Sequence, residues 1–216
     1  MEQKLIEYKK AGFLDINTVD GSELFHLTTP CRFRVAENIV SDLKKNYKAD
    51  EQIGGVLWVK PTSKYEEIIH CIDKVSYTRN VIEDNTRADD RNKSNAYLPD
   101  FKELNQALND LFFQGYLPVK FHTHQNLTSV SSKQDKREST LPYVVGNKKL
   151  LMPQGRIVGN DIFIEGYNSI DLIENYSFQF EVELFDTEEV PQQPFPTYEE
   201  VLEQQKRNNP EAFRKK

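Results

Sequence analysis

His122-Thr123-His124, then the seven residues Gln125 to Ser131, then Ser132-Lys133-Gln134-Asp135, form the stretch on which the reading of this chain turns. Tyr116 to Thr123 has strand composition and runs straight into the histidine pair. Side chains two apart on a strand share a face, so His122 and His124 can address one ion. Zinc in catalytic sites takes three N or O ligands from protein and leaves a fourth position for water. His122, His124 and Asp135 are such a set, and two neutral imidazoles with one carboxylate leave the ion net positive. A water there would have its pKa lowered toward about 7. Each half of the pattern also has a plainer reading. An isolated H-x-H is more often a surface pair than a ligand pair, and Ser132 with Asp135 three further on has the spacing of a capping box at a helix start. The spaced combination is more specific than either half.

Working outward, the segment upstream holds an amphipathic helix over Ala36 to Tyr47, with Ile39, Val40, Leu43 and Tyr47 at helical spacing. Glu51 follows it. The apolar run Ile53 to Val59 then reads as a buried central strand ended by Pro61, and Glu67 to Tyr77 as the next strand, continuing toward Ile82. The charged stretch from Glu83 to Asn95 has no face to bury and reads as an exposed loop. Pro99 and Asp100 open a second helix whose apolar positions are Phe101, Leu104, Leu108, Leu111 and Phe112, with Gly115 as its stop. Downstream, a short helix is expected from Ser132, and strands at 143–145, 156–158, 161–165 and 176–185, the last half-buried by its Phe178-Phe180-Val182-Leu184 alternation. Residues 1–24 lack a clear period and read as a peripheral extension. Residues 188–216 read as a Pro-rich linker and a terminal helix, leaving 25–187 as the main domain.

Composition narrows the classes. The 216 residues suffice for one sizeable core with appendages, and 38% hydrophobic content with 29% charge and a mean hydropathy of -0.68 describes a soluble globular chain. No window has the length of apolar residues that a membrane span needs, and Met1 to Lys10 is charged with no apolar stretch behind it, so a cytoplasmic protein without a membrane partner is expected. Cys31 and Cys71 lack the spacing of a thiolate site and read as buried thiols. A net charge of -6, with Lys and Arg scattered among acids, disfavours nucleic acid as a partner. His26 and His70 have no ligand-like company and read as structural.

The spaced motif resembles that of the JAMM family, also called the JAB or MPN domain, whose signature is H-x-H, seven residues, S-x-x-D, with an upstream glutamate in an E-x-x-G context. Here that glutamate is Glu51, in Glu51-Gln52-Ile53-Gly54. The order of elements is also similar over residues 25 to 185, and the short chain looks most like the stand-alone bacterial type. The resemblance implies an α/β chain with the JAB/MPN (cytidine-deaminase-like) three-layer fold, a central mostly antiparallel mixed sheet flanked by helices. It implies Zn2+ held by His122, His124 and Asp135. Glu51 would serve as general base toward the attacking water and then as acid toward the leaving amine, and Ser132 as a donor to the oxyanion. Read without the resemblance, Glu51 is an ordinary solvated carboxylate at a helix end.

The implied activity is hydrolysis of an amide or isopeptide bond at the C-terminus of a ubiquitin-like protein or its conjugates, in the company of ubiquitin-like conjugation machinery. The resemblance also allows a non-catalytic MPN-type scaffold, an amidase acting on a sulfur-carrier adduct or small peptide and, fitting poorly with the acidic charge balance, a DNA-associated role as in RadC-like relatives. Retention of all five polar positions speaks against the scaffold. Gln125 departs from the family, which commonly has proline after the second histidine, and this implies a differently shaped loop without touching the ligands. The insertion at 83–95 falls where eukaryotic members grip the ubiquitin being removed.

Overall fold

The structure is a computed structural model, which describes residues 2–19, 21–28, 31–64, 67–82, 92–112, 114–124, 141–158, 161–167, 177–179 and 182–185. Among the described residues it is a mixed α/β fold with three helices, α1 (Glu2–Lys10), α2 (Glu37–Asn46) and α3 (Phe101–Phe112), and two mixed sheets. The smaller sheet joins β1 (Leu14–Val19), β2 (Ser22–Leu27), β8 (Lys148–Leu150) and β7 (Tyr143–Val145) in that order. The larger sheet adds β3 (Cys31–Ala36), β4 (Gly54–Lys64), β5 (Glu67–Thr78), β6 (Leu117–Thr123), β9 (Gln154–Val158), β10 (Asp161–Tyr167), β11 (Ser177–Gln179) and β12 (Val182–Phe185). Its order is β11-β10-β9-β6-β4-β5-β3-β12.

That order nearly closes the large sheet on itself. β11 pairs with β10 at one edge and β12 with β3 at the other, yet only two residues separate Gln179 from Val182. Three residue steps reach at most about 11 Å, so the two edges must approach each other. The expected single strand over 176–185 is therefore two short strands on opposite edges, and Leu184 is exposed where alternation predicted burial.

The apolar pattern explains the centre. β4 lies between β5 and β6, antiparallel to both, with Val56, Leu57, Trp58 and Val59 buried; Trp58 donates its indole N–H to Ser76 Oγ at 2.9 Å, so the largest core side chain is also satisfied. β4 does not end at Pro61 as expected but runs to Lys64. Its pairing with β6 stops at Val59, so Pro61 sits where β4 has β5 as its neighbour in the ladder and the missing N–H on the other side breaks no bond. α2 buries Ile39, Val40 and Leu43 as its spacing predicts, and Tyr77 on β5 donates to Asp42 Oδ2 at 2.7 Å, tying helix to sheet. α3 buries Leu104 and Leu108, with Asp100 accepting from the Lys102 backbone N–H at 2.9 Å at its start. Phe101, counted from sequence among its apolar positions, is 61% exposed because it opens the helix ahead of the buried stripe.

The first 24 residues are not peripheral. Leu5, Tyr8, Phe13 and Leu14 belong to the same hydrophobic cluster as the central strands, and β2 pairs in parallel with β8, more than 120 residues away. Cys31 is half-buried and Cys71 buried, and burial pushes the Cys31 thiol up to about 12, which keeps it out of the thiolate form. The region 188–216 and the expected short helix from Ser132 lie outside the described residues.

His70, on β5, is fully buried against Phe33 (ring centroids 5.2 Å apart), and among the described residues neither ring nitrogen has a hydrogen-bond partner. Desolvation lowers its pKa from 6.5 to about 3. Between those values the unfolded chain takes up a proton that the folded one refuses. His70 therefore leaves stability intact above about pH 6.5 and erodes it as pH falls toward 3. Between pH 7 and pH 5 the expected loss from this group is about 2 kcal/mol. Urea midpoints of the protein and of His70→Leu at both pH values check it: the variant should lose correspondingly less on acidification, and equal losses would remove His70 as the cause.

Candidate metal centre

β6 is buried along most of its length and ends in the heart of the large sheet, between β4 and β9. His122 and His124, 5% and 7% exposed, share one face there, and their Nε2 atoms lie 2.9 Å apart. The rings are 4.8 Å apart between centroids. Backbone pairing carries this geometry past the strand end, since His124 N–H donates to Ile157 O at 2.8 Å. The period-two expectation for the pair is met.

Glu51 is brought to the same end of the sheet by the segment that follows it. Gly54 stands opposite His122 in the ladder. One residue earlier, Ile53 is bonded twice to Thr123: Thr123 N–H donates to Ile53 O at 2.8 Å, and Ile53 N–H donates to Thr123 Oγ1 at 3.0 Å. Gln52 is fixed from the other side, its N–H donating to Lys93 O at 2.6 Å and its carbonyl accepting from Asn80 Nδ2 at 3.1 Å. Asn80 is buried and also donates to Ala96 O while its Oδ1 accepts from the N–H groups of Ile82 and Leu98, so one side chain clasps three segments. The Glu51 carboxylate accepts from Lys48 Nζ at 2.6 Å, and this hydrogen bond is the first cause of the raised Lys48 pKa. Lys48 is 56% exposed, and an ion pair so open to water holds its partner weakly.

Three neighbours of His122 escaped the sequence reading. Gln154 Nε2 lies 3.0 Å from His122 Nδ1, with Gln154 itself buried on β9. Tyr97 stacks on the imidazole at 6.1 Å and 13°, its hydroxyl on Thr78 Oγ1. Arg156, 1% exposed, stands opposite His122 in the β6–β9 ladder. The available signal was weak: a Gln and an Arg inside an otherwise apolar strand, and an aromatic residue at the end of a polar stretch.

Two ring nitrogens each about 2.0 to 2.1 Å from zinc at a tetrahedral angle lie about 3.3 Å apart. At 2.9 Å the two nitrogens stand at hydrogen-bond distance, a few tenths of an ångström short of that spacing, so a small opening of the pair would let both rings address one ion. Ser132 and Asp135 lie outside the described residues, and among the described residues no group of three or more His, Cys, Asp or Glu could hold a metal. Among the described residues, too, no helix is long and apolar enough to cross a membrane.

No family model and no curated protein matches the chain. Among solved structures it is similar to the solution structure of a protein from Salinibacter ruber, at 14% identity and a TM-score of 0.42, over 75% of this chain and 97% of that one.

Proposed function

We propose that this chain is a JAMM-type zinc metallopeptidase on the JAB/MPN three-layer fold, cleaving amide or isopeptide bonds at the C-terminus of a ubiquitin-like protein. The observation that carries the reading is the meeting of two buried imidazoles at the end of β6, with the segment after Glu51 bonded to the threonine between them. The order α2, Glu51, β4, β5, α3, β6 also agrees with that of the family. His122, His124 and Asp135 would hold the ion. Bound zinc supplies Lewis acidity toward water and the scissile carbonyl.

The remaining work falls to the chain. Glu51 takes the proton of the attacking water and returns it to the departing amine, and Ser132 donates to the oxyanion, a contact whose removal typically raises the barrier by about 3 kcal/mol. The partner is a ubiquitin-like protein or its conjugates.

Incubation with zinc and a ubiquitin-like protein fused through its C-terminus to a reporter tests the reading. Cleavage after the modifier's last residue is expected, together with one zinc per chain. A fully zinc-loaded protein that cuts no such fusion would remove the peptidase reading, and a protein that never takes up zinc would favour a scaffold.

A further inference from the structure

Asn80 stands two residues past the end of β5 and is 3% exposed. A side-chain amide offers two N–H donors and an oxygen with two lone pairs, and Asn80 uses all of them. Nδ2 donates to Gln52 O at 3.1 Å and to Ala96 O at 2.9 Å, while Oδ1 accepts from Leu98 N–H at 3.1 Å and from Ile82 N–H at 3.2 Å. Carbonyls against the nitrogen and N–H groups against the oxygen fix which way the amide faces. Burying an amide is unfavourable unless its hydrogen bonds are made, so a fully bonded one holds its partners in place.

Those partners lead to both halves of the candidate centre. Gln52 adjoins Glu51 and precedes Ile53, which is bonded to the threonine between the two histidines. Ala96 and Leu98 flank Tyr97, whose ring stacks on His122 at 6.1 Å and 13°. The Tyr97 hydroxyl meets Thr78 Oγ1 on the last residue of β5, so the ring is held at its tip by the same stretch that holds its backbone. Gly54, opposite His122, leaves room for it: a Cβ there would stand 2.6 Å from the Tyr97 ring. An aromatic ring lying against one face of an imidazole limits how far the imidazole can tilt.

We propose that Asn80 is a positioning residue of the centre: through Gln52 it places the segment that carries Glu51, and through Ala96 and Leu98 it seats Tyr97 on His122. The inference rests on the zinc reading above and adds to it one brace shared by the base and a ligand. Groups that orient a ligating histidine typically change metal affinity by about 10- to 100-fold when removed.

Zinc affinity, by competition with a chromophoric chelator, and turnover of the ubiquitin-like fusion at saturating zinc test it in the full chain, in Asn80→Asp, in Tyr97→Leu and in the double variant. Asn80→Asp keeps the acceptor for Leu98 and Ile82 and sets an oxygen against the carbonyls of Gln52 and Ala96. Each single variant should bind zinc about 10-fold more weakly, and the double variant no more weakly than the worse of the two, because both act on His122 through one ring. At saturating zinc, kcat should stay about 10-fold or more down in Asn80→Asp with KM unchanged, and return toward wild type in Tyr97→Leu, since only the first displaces Glu51. Tyr97→Phe, which keeps the ring, should bind zinc more tightly than Tyr97→Leu. Wild-type affinity and kcat in folded Asn80→Asp would overturn the proposal while the zinc reading survived, as would losses of affinity that add in the double variant. If chains carrying Asn80→Asp do not fold, Tyr97→Leu decides, and wild-type zinc affinity in it would overturn the proposal. A wild-type protein that binds zinc but cuts no fusion would remove the peptidase reading and leave the affinities to decide. Failure of the wild-type protein to bind zinc at all would overturn both.

Discussion

On the proposed peptidase mechanism, exchanging Glu51 for Gln is expected to lower turnover of a ubiquitin-like fusion by about 10²- to 10⁴-fold, the range supplied by a positioned general base, while zinc uptake stays at the wild-type level. The substitution keeps the shape of the side chain and removes the proton acceptor. It should spare the fold, because the ion pair of Glu51 with Lys48 is an exposed one, and such pairs contribute under about 1 kcal/mol. Backbone bonds at Gln52 and Ile53, untouched by the change, hold the segment to Lys93 and Thr123. Metal analysis and turnover must therefore separate. Retained turnover would free Glu51 of the role, and loss of zinc along with turnover would make it a ligand. Lys48→Ala is the natural companion: it removes one partner of Glu51 but leaves the carboxylate that the proposed mechanism uses, so its effect on turnover should be small by comparison.

Much of what positions the site was legible because it is local. The period of two that puts His122 and His124 on one face, the stripe of Ile39, Val40 and Leu43 on α2, and the pair Leu104 and Leu108 on α3 each follow from spacing within a few residues. What escaped was long-range. β12 forms one edge of the large sheet by a parallel pairing with β3, about 150 residues away, and no local pattern encodes a partner at that distance. Leu5, Tyr8, Phe13 and Leu14 enter the core from a helix and a strand joined by a short turn, so their apolar spacing changes period midway and neither period stands out. Pro61 reads as a strand end unless one knows that β6 has already left β4 at Val59.

The candidate site divides the same way. Its motif residues advertise themselves by chemical type, and the structure brings two of them together with the Glu51 segment; Ser132 and Asp135 lie outside the described residues. The residues that hold the motif in place have no motif. Asn80 is an ordinary polar residue after a strand until its bonds to Gln52, Ala96, Ile82 and Leu98 are seen together, and Gln154 gains meaning only from standing at Nδ1 of His122. Positioning groups are chosen by three-dimensional fit, which spacing cannot reveal.

The largest stability effect is expected at Gly55. Its φ of +154° is rare for residues with a side chain, and a Cβ built there would run into Ser76 O and stand 3.0 Å from Tyr77 Cα. Both atoms are backbone of β5, so no rotamer change relieves the clash; β4 and β5 would have to separate. Strain at a special φ and overpacking in a filled core each cost about 1 to 3 kcal/mol, so Gly55→Ala should destabilise by roughly 3 to 5 kcal/mol, read as a fall in the urea midpoint. At Gly54 the contacts differ. An added Cβ there meets Phe121 O at 2.5 Å and the Tyr97 ring at 2.6 Å, and the ring, unlike a carbonyl, can swing aside. Gly54→Ala should thus disturb the residue before His122 and the ring stacked on it, weakening zinc binding in chains that still fold. Because β4 also carries the register that sets Ile53 against Thr123, the two adjacent glycines serve the same strand in different ways. Gly55 lets β5 lie close enough for the sheet to form, and Gly54 leaves room for Tyr97 beside the histidine. A Gly55→Ala protein with a wild-type midpoint would mean that β4 and β5 are not packed at this separation.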